Sequence, residues 1–333
     1  MTAEADLNLS GPPRLIPALS AGFNTVASKI YLILLPVLLD VFLWLGPQFR
    51  VDALFSPVLK EYTDYFSRIA SAEIAAQMNG LFTLWIENLK SFNLAGALQT
   101  FPIGLPSLMA NRPLESTPFG AHRIVEVPSF AAAFALWLLF LIGGFVLGCY
   151  FLNLLARSSA ETTLKFEFKG FLIQTGLCAV FILTLLIAVL LVSVPASFIV
   201  SLLAMINTSL GSIALLAVIF LMIWLFIPLI FTPHSIFLGQ RSLMVSVLTS
   251  VRLVRNHLTG SSLFLVVAIL IALGMDILWK VPPTNSWLTL VGILGHAFIY
   301  TSLLAASFIY FRSGLRWLIE LIRQQSARMV QQA

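Results

Sequence analysis

The sequence predicts an all-α, polytopic membrane protein: a helix bundle of about six transmembrane helices with an extracytoplasmic insert of amphipathic helices. Three observations predict it. Of 333 residues, 59% are hydrophobic and only 10% are charged, where a soluble domain carries about a quarter charged residues. Residues 170–240 contain no Asp, Glu, Lys or Arg. Between the first two apolar runs, hydrophobic residues recur every three to four positions, the period of a helix with one apolar face.

Residues 1–23 form a short tail with Glu4, Asp6, several prolines and Arg14 as its only basic residue. That tail and the absence of a small-x-small cleavage pattern after the first apolar run read as a retained span, not a cleaved signal. A hydrocarbon core about 30 Å thick needs about 20 apolar residues in helix. The expected spans are residues 24–46, 130–156, 170–194, 210–231, 262–279 and 287–311. The charge-free run is too long for one helix, and Pro195, Asn207 and Gly211 place a short outer connection within it.

The insert covers residues 47–129 and is too long for an ordinary loop. Val51, Leu54, Phe55, Val58, Leu59, Tyr62, Phe66 and Ile69 form one helical series. Ile74, Met78, Leu81, Phe82, Trp85, Ile86 and Leu89 form a second. Beyond Thr100 the Pro- and Gly-containing segment is irregular. Such an insert is a helical cap on the outer surface or on the bundle, or a lid that binds a ligand or partner.

Residues 239–258 form an amphipathic helix with Leu243, Val247, Val251, Val254 and Leu258 on one face. Arg241, Arg252 and Arg255 project from another face, with no acidic residue in the segment. That pattern suits the membrane interface, where the three arginines are candidates to bind anionic headgroups. Residues 312–333 make a basic C-terminal helix. With the N-terminus inside, the inner segments hold twelve of the nineteen Lys and Arg residues, and six of the seven outer ones lie in the long insert. Positive charge near short loops marks the cytoplasmic side, so both termini are expected there.

Asp40 and Asp276 are the candidate site. Ionisable groups in a span cost about 2.5–3.5 kcal/mol at its centre and mark function by default. Each stands near the end of an outward-running span, before a Trp and then a Pro, so interfacial anchoring or pairing is the first reading and a proton or cation site the sharper one. Lys280 is an i,i+4 partner for Asp276. The two span ends, Asp40 to Pro47 and Asp276 to Pro282, echo one another, as the repeats of transporters and of inert bundles both do.

The remaining chemistry is sparse. His122, His234, His257 and His296 do not cluster, and His296 inside a span reads as a hydrogen-bonded packing residue. Cys149 and Cys178 lie in apolar runs and read as packing residues. Gly143, Gly144 and Gly148 form a small-residue stripe for close helix packing. No catalytic residue, metal site or cofactor is expected, and no basic module fits nucleic acid. The expected partners are the lipid bilayer and other membrane proteins.

Residues Ser242, Ser246, Ser250, Arg252, Arg255 and Asn256 sit in a pattern of an inner basic amphipathic helix followed by a transmembrane hairpin. Over residues 239–311 this resembles the membrane domain attached to some glycerophosphodiester phosphodiesterases, and related bacterial inner-membrane proteins of unknown function. The resemblance implies a bacterial cytoplasmic membrane and no defined activity. The large insert departs from that pattern, as does the lack of a phosphodiesterase domain. Two function classes follow: a non-enzymatic scaffold, assembly factor or complex subunit, and a transporter or lipid-handling protein using Asp40 and Asp276.

Overall fold

A computed structural model describes residues 11–110, 112–114, 116–160, 165–239 and 242–332, with side chains up to Gln325. The chain is an all-α polytopic bundle with four strands of two or three residues among the described residues. In chain order, α1 is Leu15–Ser28, α2 Leu34–Leu45, β1 Gln48–Arg50, α3 Asp52–Ile69 and α4 Ala72–Ser91. After these come β2 Ser116–Thr117, β3 Gly120–Ala121, β4 Ile124–Glu126, α5 Phe130–Ser159 and α6 Phe168–Ile206. The remaining helices are α7 Thr208–Phe226, α8 Thr232–Gly239, α9 Leu243–Asn256, α10 Leu258–Trp279 and α11 Leu288–Gln332. Five described helical stretches are long and apolar enough to cross a membrane, and a sixth if the broken pair at the first span is counted as one.

Three expected boundaries change. The first span, 24–46, is not one helix: the chain leaves helical geometry at Lys29 (φ −131°, ψ 60°) and passes through a 3-10 turn, Ile30–Ile33, into α2. Pro36 explains the break, since it cannot donate to the carbonyl four residues earlier and its ring would press on it. The outer connection expected at 195–209 shrinks to a turn at Asn207. Helix α6 continues through Pro195 to Ile206, and the reversal is made at Asn207, whose side chain accepts a 2.8 Å bond from Ser209 N. Gly211 permits this tight turn, because a Cβ there would stand 2.5 Å from that of Ala204. Finally, the last expected span and the C-terminal helix merge into a single helix, α11, over Leu288–Gln332.

The chain divides into two compact units. One comprises Ser28–Phe151 and Leu270–Thr301. In it α3 and α4 form a hairpin joined by Phe66 and Phe82, with ring centroids 6.1 Å apart, and by a Ser67–Asn79 side-chain bond. The root of the hairpin is held by a core of Val51, Leu94, Val127 and Ala133. Parallel pairing of β1 with β4 ties the two ends of the insert together. In the β2–β3 hairpin Gly120 takes φ +107°, a conformation that side chains disfavour.

In the same unit the irregular stretch after Thr100 packs inward: Ile103, Leu105, Leu108 and Met109 are all buried. Its backbone lies directly on the glycine stripe of α5. A Cβ on Gly144 would stand 2.2 Å from the Leu98 carbonyl oxygen, and one on Gly148 would stand 2.5 Å from Gly104 Cα. Gly148 is eighteen residues into α5, about 27 Å along the helix. The small residues therefore admit a re-entrant segment of the insert, where close packing of another helix was expected.

The other unit comprises Met1–Ala27, Leu152–Ile269 and Ser302–Ala333. Its core gathers Ala18, Phe231, Leu253, Val254, Phe264, Ala306, Tyr310 and Phe311. Buried polar groups stitch it: Asn153 donates to Gln174 Oε1 at 2.8 Å, and His234 Nε2 lies 2.7 Å from Ser307 Oγ. Ser250 repairs the helix break at Pro228 by donating to the Pro228 carbonyl at 2.6 Å and accepting from Phe231 N at 3.1 Å. Gly22 of α1 lies flat on α11, where a Cβ would be 2.6 Å from that of Ala306. Gly22→Leu is expected to lower stability by about 1–3 kcal/mol through overpacking, read as an earlier thermal transition in detergent. A wild-type transition would show that this contact is not close-packed.

Candidate functional site

Helix α2 carries Asp40 into the centre of its unit, where the side chain is fully buried. A turn of the re-entrant segment closes over it. Ser107 Oγ donates to Oδ1 at 2.5 Å, Leu108 N to Oδ2 at 3.0 Å and Met109 N to Oδ1 at 3.0 Å. Ser107 Oγ in turn accepts from Ala110 N at 3.1 Å. The physical reason follows from the backbone. An irregular chain exposes N–H groups that no helix carbonyl takes, and a buried orphan costs about 1–3 kcal/mol. The carboxylate supplies the missing acceptors, and three donors hold its charge.

Asp276 sits on the last turn of α10 and pairs with Lys280 at 2.9 Å. Between the two aspartates stands His296 of α11, which is 2% exposed. Its Nε2 is 3.4 Å from Asp276 Oδ1 and its Nδ1 is 3.9 Å from Asp40 Oδ2. Among the described residues neither Asp276 Oδ1 nor His296 Nδ1 has a hydrogen-bond partner, although both atoms are buried. Tyr300 lies over the imidazole with centroids 4.3 Å apart. The arrangement is thus a line of titratable groups, Asp40, His296, Asp276 and Lys280, in which the imidazole is within ion-pairing range of both carboxylates when protonated.

Glycines bring α11 close enough for this. A Cβ on Gly292 would stand 2.6 Å from the Trp279 carbonyl oxygen, and one on Gly295 would stand 2.6 Å from the Trp279 ring. Arg112 Nη2, beyond this segment, reaches the loop after α10, where it donates to the carbonyls of Lys280 at 3.1 Å and Pro282 at 2.5 Å. Trp44, expected at headgroup level, is instead fully buried and donates its indole N–H to Thr284 O at 2.7 Å. Burial, with the Arg50 charge, pushes the His122 imidazole, in the insert, below its usual range.

The structure therefore brings Asp40 and Asp276 together, and the member that sequence reasoning missed is His296. Its signal was a lone histidine in an apolar span, with Gly295 immediately before it and Gly292 one turn earlier. Among the described residues no group of three or more His, Cys, Asp or Glu is placed to hold a metal ion. The arginines belong to the other unit. Arg252 and Arg255 are exposed on α9, and Arg241 lies outside the described residues. No family model, curated protein or solved structure matches the chain.

Two substitutions separate the roles of the aspartates. Asp40→Ala leaves three donors without an acceptor and is expected to cost on the order of 3 kcal/mol or more. Asp276→Ala removes a pair whose lysine side chain is 48% exposed, so the expected loss is no more than about 1 kcal/mol. Thermal unfolding in one detergent measures both, and equal losses would refute the clamp at Asp40.

Proposed function

We propose that this chain is a non-enzymatic scaffold or complex subunit of a bacterial cytoplasmic membrane. Both termini face the cytoplasm, and the insert faces outward to receive membrane-protein partners. The single observation that carries this reading is the α3–α4 hairpin. No residue of α3 is buried, and in α4 only Ala75 is. Tyr62, Tyr65 and Ile69 on one helix and Leu81, Leu84 and Trp85 on the other are all more than half exposed. Such apolar surface outside the spans marks an interaction site. The hairpin is rooted firmly, with Phe55 edge-on to Phe130 at 5.2 Å, so it is held ready to dock.

Orientation is supported by the excess of Lys and Arg in the segments assigned inside. The likeness of residues 239–311 to phosphodiesterase membrane domains supports a bacterial inner membrane. The lipid bilayer is the other partner, and no role with nucleic acid is proposed.

A second reading, a transporter or lipid-handling protein that moves a proton or cation, is favoured by the unpartnered Nδ1 and Oδ1 atoms between Asp40, His296 and Asp276. Buried ionisable chains of this kind form relays in membranes.

Affinity purification in mild detergent tests both. A recurrent partner should co-purify with wild type and with His296→Gln, and be lost from Tyr65→Glu and Trp85→Glu chains that remain monodisperse. If the wild type purifies alone, and His296→Gln or Asp276→Asn abolishes dissipation of a pH gradient by wild-type proteoliposomes, the relay replaces the scaffold.

A further inference from the structure

Helix α7 stops at Phe226 and the chain passes through a 3-10 turn, Ile227–Leu229, before α8. Ser250 fixes that turn against α9 through the Pro228 carbonyl. Beside the fixed break lies a cavity of about 630 Å³, within the range of small-ligand sites, about 300–1,000 Å³. Its walls include Phe220 and Trp224 of α7, Val251 of α9, and Leu258 and Ser262 of α10. Among the described residues, Arg255 is the only charged one lining it.

The charge is uncompensated locally. Residues 170–240 and helix α9 contain no Asp or Glu, and Arg255 forms no ion pair among the described residues. Arg255 is exposed, and Trp224, a residue type that favours the membrane interface, is 66% exposed. An apolar chamber with one accessible guanidinium at its wall matches a molecule with an anionic head and a hydrocarbon tail. A free phosphate has no use for the walls, and an apolar helix has none for the cation.

We propose that this cavity is a specific site for one anionic phospholipid, with its phosphate on Arg255 and an acyl chain against Phe220, Trp224 and Leu258. A guanidinium meets a phosphate through paired N–H donors, which suits Arg255 to the head. The site narrows the expectation for the basic helix: Arg252, exposed on the same helix, does not line the cavity and contributes no selectivity. It does not depend on the scaffold reading.

The test uses the whole chain in vesicles that carry brominated phosphatidylglycerol or brominated phosphatidylcholine. The signal is quenching of Trp224, isolated by subtracting the Trp224→Phe protein. Wild type is expected to associate with the anionic lipid about fivefold more strongly, the preference of roughly one interfacial cation. Arg255→Gln should erase that preference, Arg255→Lys should keep much of it, and Arg252→Gln should leave it intact. Ser262→Phe, which fills the chamber, should weaken quenching by both lipids. All variants must match wild type in helicity and monodispersity. Equal association of the two lipids with wild type, or a preference that survives Arg255→Gln, would overturn the site. A preference lost equally in Arg252→Gln would reduce it to general surface charge.

Discussion

Hydrocarbon offers no partner to a backbone N–H or C=O, and the course of the chain follows from that constraint. Where helix is continuous the requirement meets itself, so α6 runs through Pro195 instead of breaking there. A reversal in such surroundings must be nearly free of loop, and Asn207 turns the chain with its own side chain as the cap. At Pro228 the lost helical bonds are replaced by one hydroxyl, Ser250, acting as donor and acceptor together.

The re-entrant segment breaks the rule most severely and explains the buried carboxylate. Irregular backbone is tolerated at depth only when protein satisfies it. Asp40 serves Leu108 and Met109 directly and Ala110 through Ser107. The Leu98–Gly104 backbone can approach α5 only because Gly144 and Gly148 lack side chains. A charge and a glycine stripe that look unrelated along the chain thus answer the same need, to seat a non-helical segment among helices.

Much of the architecture was legible because it rests on local pattern. Charge-free runs reveal spans, and the two apolar series of the insert lie on α3 and α4. What was illegible depends on distant residues. Nothing near Pro195 says that the helix continues, since that is decided by the solvent around it. The re-entrant segment did leave a trace: residues 91–111 carry no charge, unusual for a loop in water. Asp40 and Asp276 stood out as charges in apolar runs. His296 did not, because its partners come from α2 and α10, and only the assembled unit places it between them.

Exposed apolar surface means different things on the two kinds of helix here. On α6 and α7 it surrounds the helix, and lipid covers it at no cost. On α3 the same residue types alternate with Asp52, Lys60, Glu61, Asp64 and Arg68, so one face prefers water while the other avoids it. Lipid at depth cannot serve both faces, which excludes the hairpin from the hydrocarbon. Water cannot serve both either, so Tyr65 and Trp85 require a boundary: a membrane surface or a protein. A hairpin rooted by Val51, Leu94 and Val127 has little freedom to fold down onto a bilayer. That packed root is what favours the proposed protein partner over a bilayer as the cover.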